Sequence, residues 1–230
     1  MERRQEKGAQ VIPFPARIPA TAADGIGDLR FRALVGEAGW AALPETTRAR
    51  FGKRVADGRT AVYAGEIVEC RMNRAGRILA QLCRLLGGPL PLGRDADMPA
   101  LVSVTEDAAS GGQHWTRIYG RRRGFPQVIR SRKCFAGPTG LEEHVGRGVG
   151  IALRIDVADG ALHFLSDHYF LRLGRLRLRL PRWLAPGHMR VSHIDCKHGL
   201  FAFVLRLDHP LFGALIQQTA MFRDMKEDER

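Results

Sequence analysis

The residues best suited to chemistry lie together in one run, Trp115-Thr116-Arg117-Ile118-Tyr119-Gly120-Arg121-Arg122-Arg123. Side chains alternate along a strand, so Trp115, Arg117 and Tyr119 share one face. An arginine flanked by aromatic rings can hold a carboxylate or phosphate, or support a stacked base. Cross-strand packing of guanidinium on rings at an exposed sheet is the plainer account of the same residues. Seven basic residues and no acid occur from Arg117 to Lys133, and six arginines with no acid from His168 to Arg190. If both segments face one way, the sheet carries a positive surface. The candidate ligand-binding set is therefore Trp115, Arg117, Tyr119, Arg130, Arg132 and Arg177.

Other residue types lack the spacing their chemistry needs. His163 and His168 are placed on opposite faces of a regular strand, and His193, Asp195 and His198 meet only if a turn at Gly199 folds them together. None has the spacing of a tetrahedral zinc site, and histidines scattered on solvated strands are the simpler reading. Ser166-Asp167-His168 has the residue types of a catalytic triad, but strand neighbours cannot form that relay. Glu142 and Glu143 point apart on a strand, which excludes paired acid–base work. No GxGxxG or GxxxxGKS loop is present. The expectation is a non-catalytic domain with no metal and no cofactor.

Strands must position these residues. The stretch Leu171–Leu180 alternates leucine and arginine, with a change of phase at Gly174 that marks a bulge or tight turn. Its leucine face, Leu176, Leu178 and Leu180, is expected to be buried, and its arginines to form a rim. Further strands are expected at 61–71, 100–106, 113–119, 127–135, 141–145, 149–158, 161–169, 189–197, 200–208 and 214–222. Gly65 is the expected bulge of the first, and Asp159-Gly160 a hairpin turn. Helices are expected from Asp28 as N-cap, over Pro44–Phe51 with Pro44 in the first turn, and over Arg74–Leu86. The last is amphipathic, with Ile78, Leu79, Leu82, Leu85 and Leu86 opposite its arginines, and is expected to cover the sheet.

This order predicts a mainly β (α+β) fold. One large curved antiparallel sheet, half-barrel or barrel-like, carries N-terminal helices and one covering amphipathic helix. Residues 1–27 read as a disordered, proline-containing leader, 28–224 as a single β-rich domain, and 225–230 as a charged tail. A net charge of +12 favours an anionic partner, though arginine also accumulates on solvated faces for compositional reasons. Four dispersed cysteines, no signal peptide and no long apolar run lead to an expected cytoplasmic location, with peripheral contact at the inner membrane as an extension.

Several segments resemble one family in order. Leu29–Phe51 is similar to its helical opening, and Leu-Cys-Arg-Leu-Leu-Gly-Gly-Pro-Leu-Pro-Leu at 82–92 to its helix-to-loop passage. His114–Arg123 is similar to its Trp-Thr-Arg-aromatic-Gly strand. Gly174–Pro186 and His209–Leu215, with Pro210 and Gly213, are similar to its C-terminal part. The chain thus resembles the bacterial domain of unknown function 4166 family over residues 29 to 222. It departs at Gln217-Gln218-Thr219-Ala220, where the family has Tyr-x-Gly, so no role of that tyrosine carries over. Members occur alone or fused behind a saccharopine-dehydrogenase-like reductase domain, so the resemblance implies a reductase as one partner but supplies no activity. The leading expectation is binding of a lipid-like or amphiphilic small molecule in a sheet cavity. An arginine-rich surface binder of anionic membrane or nucleic acid is the alternative, with nucleic acid the less expected partner, and an accessory domain of a saccharopine-dehydrogenase-like reductase is a further one.

Overall fold

Short runs of alternating polarity, separated by glycine-containing turns, form strands that bury one face each. The computed structural model describes residues 27–56 and 58–224. Its strands are β1 (Thr60–Met72), β2 (Met98–Asp107), β3 (Gly112–Tyr119), β4 (Gln127–Cys134), β5 (Leu141–Gly146), β6 (Val149–Ala158), β7 (Ala161–Leu173), β8 (Leu176–Arg179), β9 (His188–Asp195), β10 (Leu200–His209) and β11 (Gly213–Asp224). Helices α1 (Arg30–Ala42) and α2 (Glu45–Phe51) precede β1, and α3 (Arg74–Cys83) runs into a 3-10 turn at Arg84–Leu86. The expected leader and charged tail lie outside the described residues, apart from Gly27.

Every strand pairing is antiparallel. The order is β6-β5-β4-β3-β2-β1-β11-β10-β9-β7, and β7 pairs back onto β6. Ten strands thus close a barrel, the tighter of the two forms expected. The strand β7 accomplishes this by dividing its second edge. Leu162 to Leu165 pair with β9, whereas Phe170 to Leu173 pair with β8, which hangs outside the ring.

Several local expectations are corrected. Gly174 marks a tight turn between β7 and β8, but Leu176 and Leu178 are exposed, because β8 pairs with β7 alone and lies outside the ring. The bulge in β1 falls between Ile67 and Glu69, not at Gly65. Gly65 serves a close approach instead, since a Cβ there would collide with the Met221 carbonyl oxygen. Asp28 is not the N-cap of α1, which is Leu29; its buried carboxylate accepts from the backbone and side chain of Arg30. Pro44 is the N-cap of α2 rather than a first-turn residue.

Two devices finish the barrel ends. At one end α1 and α2 press Phe31 and Phe51 inward against Phe164, with ring centroids 5.3 to 6.2 Å apart. Edge-to-face ring pairs of this kind add about 0.5–1.5 kcal/mol each beyond area burial. The Arg50 guanidinium of α2 binds Asp224 at 2.9 Å, and Thr46 donates to Asp195 at 2.8 Å. That end is a packed floor.

At the other end, α3 was expected to lie over the sheet and instead crosses the mouth. It starts at β11, where the Asn73 N–H donates to the Leu215 carbonyl and its Nδ2 to the Phe212 carbonyl. Asn73 Oδ1 caps the helix by accepting from Gly76 N–H at 2.7 Å. The 3-10 turn ends against Gly146 of β5, whose missing Cβ leaves room for the Leu86 carbonyl. The strands β11 and β5 stand five places apart in a ring of ten, so this segment spans a diameter. The following chain closes one side, with Gln127 bonded to Leu90 and Leu92, and Asp97 bonded to Ile67.

Gly76 sits where a Cβ would strike the Leu215 carbonyl oxygen. Glycine to alanine normally stabilises a helix by about 1 kcal/mol. Here Gly76→Ala is expected to destabilise by roughly 1–3 kcal/mol, because backbone must move to admit the methyl. Chemical denaturation measures this, and a raised midpoint would show that α3 is not clamped there.

Candidate functional site

Above the aromatic floor the barrel encloses a cavity of about 760 Å³. Ten strands make a ring wider than side chains readily fill. The wall is largely apolar, including Val102, Ile129, Ile151, Leu205, Leu207 and Phe222. Its opening lies beside α3 on the side not closed by residues 87–97. Ile78, Leu82 and Leu85 form one lip, and Leu184 and Phe212 the other. All five line the cavity and are more than half exposed.

One charged group interrupts this wall. Lys133 Nζ lies 3.0 Å from Glu143 Oε2, and Arg117 Nη2 lies 3.2 Å from Glu143 Oε1. Arg117 also donates to Ser131 Oγ at 3.2 Å. The strand register explains the convergence. Trp115 faces Ser131 and Gln113 faces Lys133 across β3–β4, and Lys133 faces Glu143 across β4–β5. The group stands deep, since Lys133 Nζ is 5.5 Å from the Phe164 ring of the floor and 4.7 Å from the Trp115 ring.

Burial is the largest influence on both Lys133 and Glu143. It pulls the Lys133 ammonium below its ordinary value, with Glu143 pulling the other way. For Glu143 burial raises the carboxyl, but Lys133 and Arg117 outweigh it and hold the group below the carboxylate range. Breaking such a buried pair leaves an uncompensated charge. Tyr119 lines the same chamber, and burial raises its phenol.

The six candidates from sequence divide evenly. Trp115, Arg117 and Tyr119 do share a face, and it is the inside of the barrel, not an exposed sheet. Arg130, Arg132 and Arg177 do not join them. Arg130 is exposed, and Arg132 pairs with Asp107 at 3.2 Å. Arg177 pairs with Glu142 at 2.8 Å and lies 4.0 Å over the Phe170 ring. The two basic segments therefore do not converge on one site.

Sequence reasoning missed Lys133 and Glu143. A signal was present for the second: Glu143 is in phase with apolar Leu141 and Val145, an acid in the middle of an inward face. Glu142 and Glu143 do point apart, one outward and one into the cavity.

The histidines also move. Both Phe164 and Tyr169 line the cavity, because β7 is bulged between Ser166 and His168. Their neighbours His163 and His168 thus share the outer face rather than opposite faces. His193 is wholly buried instead of solvated, stacked on Phe201 at 4.9 Å. Among the described residues no cluster of three or more His, Cys, Asp or Glu could hold a metal ion. No described helix is long and apolar enough to cross a membrane.

These features define a closed antiparallel β-barrel with an internal, mainly apolar chamber. The family model described as Domain of unknown function (DUF4166) matches residues 43–222, and the chain belongs to that family. The match begins at Leu43, so the helical opening from Leu29 to Ala42 lies ahead of it. Comparison with curated proteins and with solved structures gave no match.

His193 makes the floor sensitive to acid. Its Nε2 accepts from Arg50 at 3.2 Å while Nδ1 has no partner. Burial first, then Arg50, depress its pKa to about 3, opposed by Asp195. The unfolded chain takes up this proton near pH ~6.5 and the folded one does not, so stability is full above that value and falls as pH drops toward 3. The expected loss from this residue between about pH 7 and about pH 5 is on the order of 2 kcal/mol. Urea unfolding at the two pH values measures it, and His193→Phe is expected to flatten the decline. An equal decline in the variant removes His193 as its cause.

Proposed function

We propose that this protein binds one amphiphilic small molecule inside the barrel and does not transform it. The observation that carries this reading is the open chamber of about 760 Å³ above a packed floor. Small-molecule pockets span about 300–1,000 Å³ and combine an apolar wall with a few placed polar groups. The wall and the Arg117–Glu143–Lys133 group fit that description. Apolar side chains around an empty space forgo dispersion contacts that an occupant would restore. Ser131 and Glu143 both face the chamber, but Glu143 is already engaged by Lys133 and Arg117, which favours binding over catalysis.

Native mass spectrometry of protein purified from cells tests this. The expected result is a discrete mass increment that organic extraction removes and that Leu205→Trp, which fills the chamber, diminishes. A chamber that is empty in every preparation and takes up no long-chain acid, alcohol or ester overturns the reading.

A second reading, contact with an anionic membrane surface, is favoured by the opening itself. Beyond the five lip residues, Trp183, Leu211 and Phe125 are also strongly exposed. The turns at this end, 120–126 and 174–187, contain seven arginines and no acid. An apolar patch ringed by cations suits the interface of an anionic bilayer. The expected outcome is cosedimentation with phosphatidylglycerol vesicles, weakened by salt and by Leu82→Glu with Phe212→Glu, and little with phosphatidylcholine. Equal binding by wild type and the double variant rules out this face.

A further inference from the structure

The polarity of the chamber runs opposite to that of a protein that keeps its ligand's head group at the surface. We propose that the occupant is a singly charged carboxylate amphiphile, such as a fatty acid, held head-inward on Arg117 and Lys133 with its chain toward the opening. This rests on the cavity-binding reading and adds its ligand class and direction.

Three observations carry it. First, the charges at the deep end do not cancel. Among the described residues lining the chamber, Glu143 is the sole acid, facing the two cations Arg117 and Lys133. The group holds a net charge of one positive unit away from bulk water, and a monoanion neutralises it. A phosphate monoester, near two negative charges, would leave an excess charge of the other sign.

Second, the geometry leaves a donor free to face the space. Arg117 keeps a fifth of its side chain accessible (20%) although it lies within the barrel, while the Lys133 and Glu143 side chains are 6% and 8% accessible. Lys133 is pinned between Trp115, Phe164 and Glu143, and Glu143 between the two cations, so Arg117 is the member able to present its guanidinium to a ligand. Planar guanidinium pairs with planar carboxylate through two parallel bonds.

Third, the opening offers a head group little. Its lips are Ile78, Leu82, Leu85, Leu184 and Phe212, and the arginines of the nearby turns do not line the cavity. The polar side chain there is His209 beside Phe212, and its Nδ1 already accepts from the Leu211 N–H at 3.2 Å. A head left at the lips would meet mostly hydrocarbon, while its tail would press on the charged group below. Inverting the molecule satisfies both ends.

Binding of dodecanoic acid, dodecan-1-ol and dodecyl phosphate to the full chain near neutral pH, read by calorimetry, tests ligand class. The acid is expected to bind at least about tenfold tighter than the alcohol, and Arg117→Gln to remove most of that difference while leaving the alcohol within about twofold. Glu143→Gln removes the competing anion and is expected to tighten the acid severalfold, a gain that a merely structural role for Glu143 would not produce. If that variant does not fold, the wild-type acid–alcohol comparison and Arg117→Gln still decide. Direction is read from Trp115 fluorescence in a Trp40→Phe, Trp183→Phe background. The α-bromo acid is expected to quench it more than the ω-bromo acid.

Equal binding of acid and alcohol, or stronger quenching by the ω-bromo acid, overturns the head-inward proposal and leaves the cavity reading standing. Tighter binding of the phosphate overturns the monoanion assignment. No binding of any of the three overturns the cavity reading itself.

Discussion

The structure depends on β7, the strand that closes the ring. Along one edge it pairs with β6 from Val149↔Leu171 to Ala158↔Ala161, and along the other it gives its first half to β9. A sheet of ten twisted strands has two exposed edges unless they meet, and meeting converts a curved surface into an enclosed volume. The second half of β7 continues past the ring and needs β8 to satisfy its outer edge. The leucine–arginine hairpin is thus a consequence of closure: its four β8 residues are exposed because they cap an overhang, not because they line a site.

Closure by ten strands sets a diameter, and the side chains then divide the interior. Phe31, Phe51, Phe164, Phe201 and His193 fill the end beneath α1 and α2. At the opposite end α3 is held across the mouth by its contacts with β11 and β5 rather than lowered into it. A cavity survives between floor and strap. The apolar face of α3 explains itself in the same way. Leu79 packs with Ala80 and Leu215, while Ile78 and Leu82 remain outside as lips.

Charge is distributed on the same plan. Some outward arginines find acidic partners, as Arg132 does with Asp107, Arg154 with Asp167 and Arg177 with Glu142. The most exposed of these, Arg154 with Asp167, is of a kind that contributes little to stability, about 0–1 kcal/mol. The inward trio is different in kind. Arg117, Lys133 and Glu143 are fixed by register on three adjacent strands, and the low-polarity wall strengthens their interactions while penalising any charge left over. An overall positive balance visible in composition therefore says little about the chamber, whose charged lining is two cations around one acid.

Much of the secondary structure was legible in the sequence. Alternation over Val149–Ala158, the Asp159-Gly160 turn and the arginine–aromatic run at 115–119 determine strands and their faces, because side-chain period is a local property of the backbone. The sequence also determined that Trp115, Arg117 and Tyr119 share a face and that Glu142 and Glu143 point apart. What it could not decide was which face is inside. That depends on whether distant edges such as β6 and β7 pair, and pairing depends on hydrogen bonds across the whole ring. Hence Arg130, Arg132 and Arg177 fell in with Arg117 by composition and were separated only by closure. Lys133 and Glu143 met only through cross-strand register, and the lip residues of α3 became an opening only because the helix spans the barrel rather than lying on it.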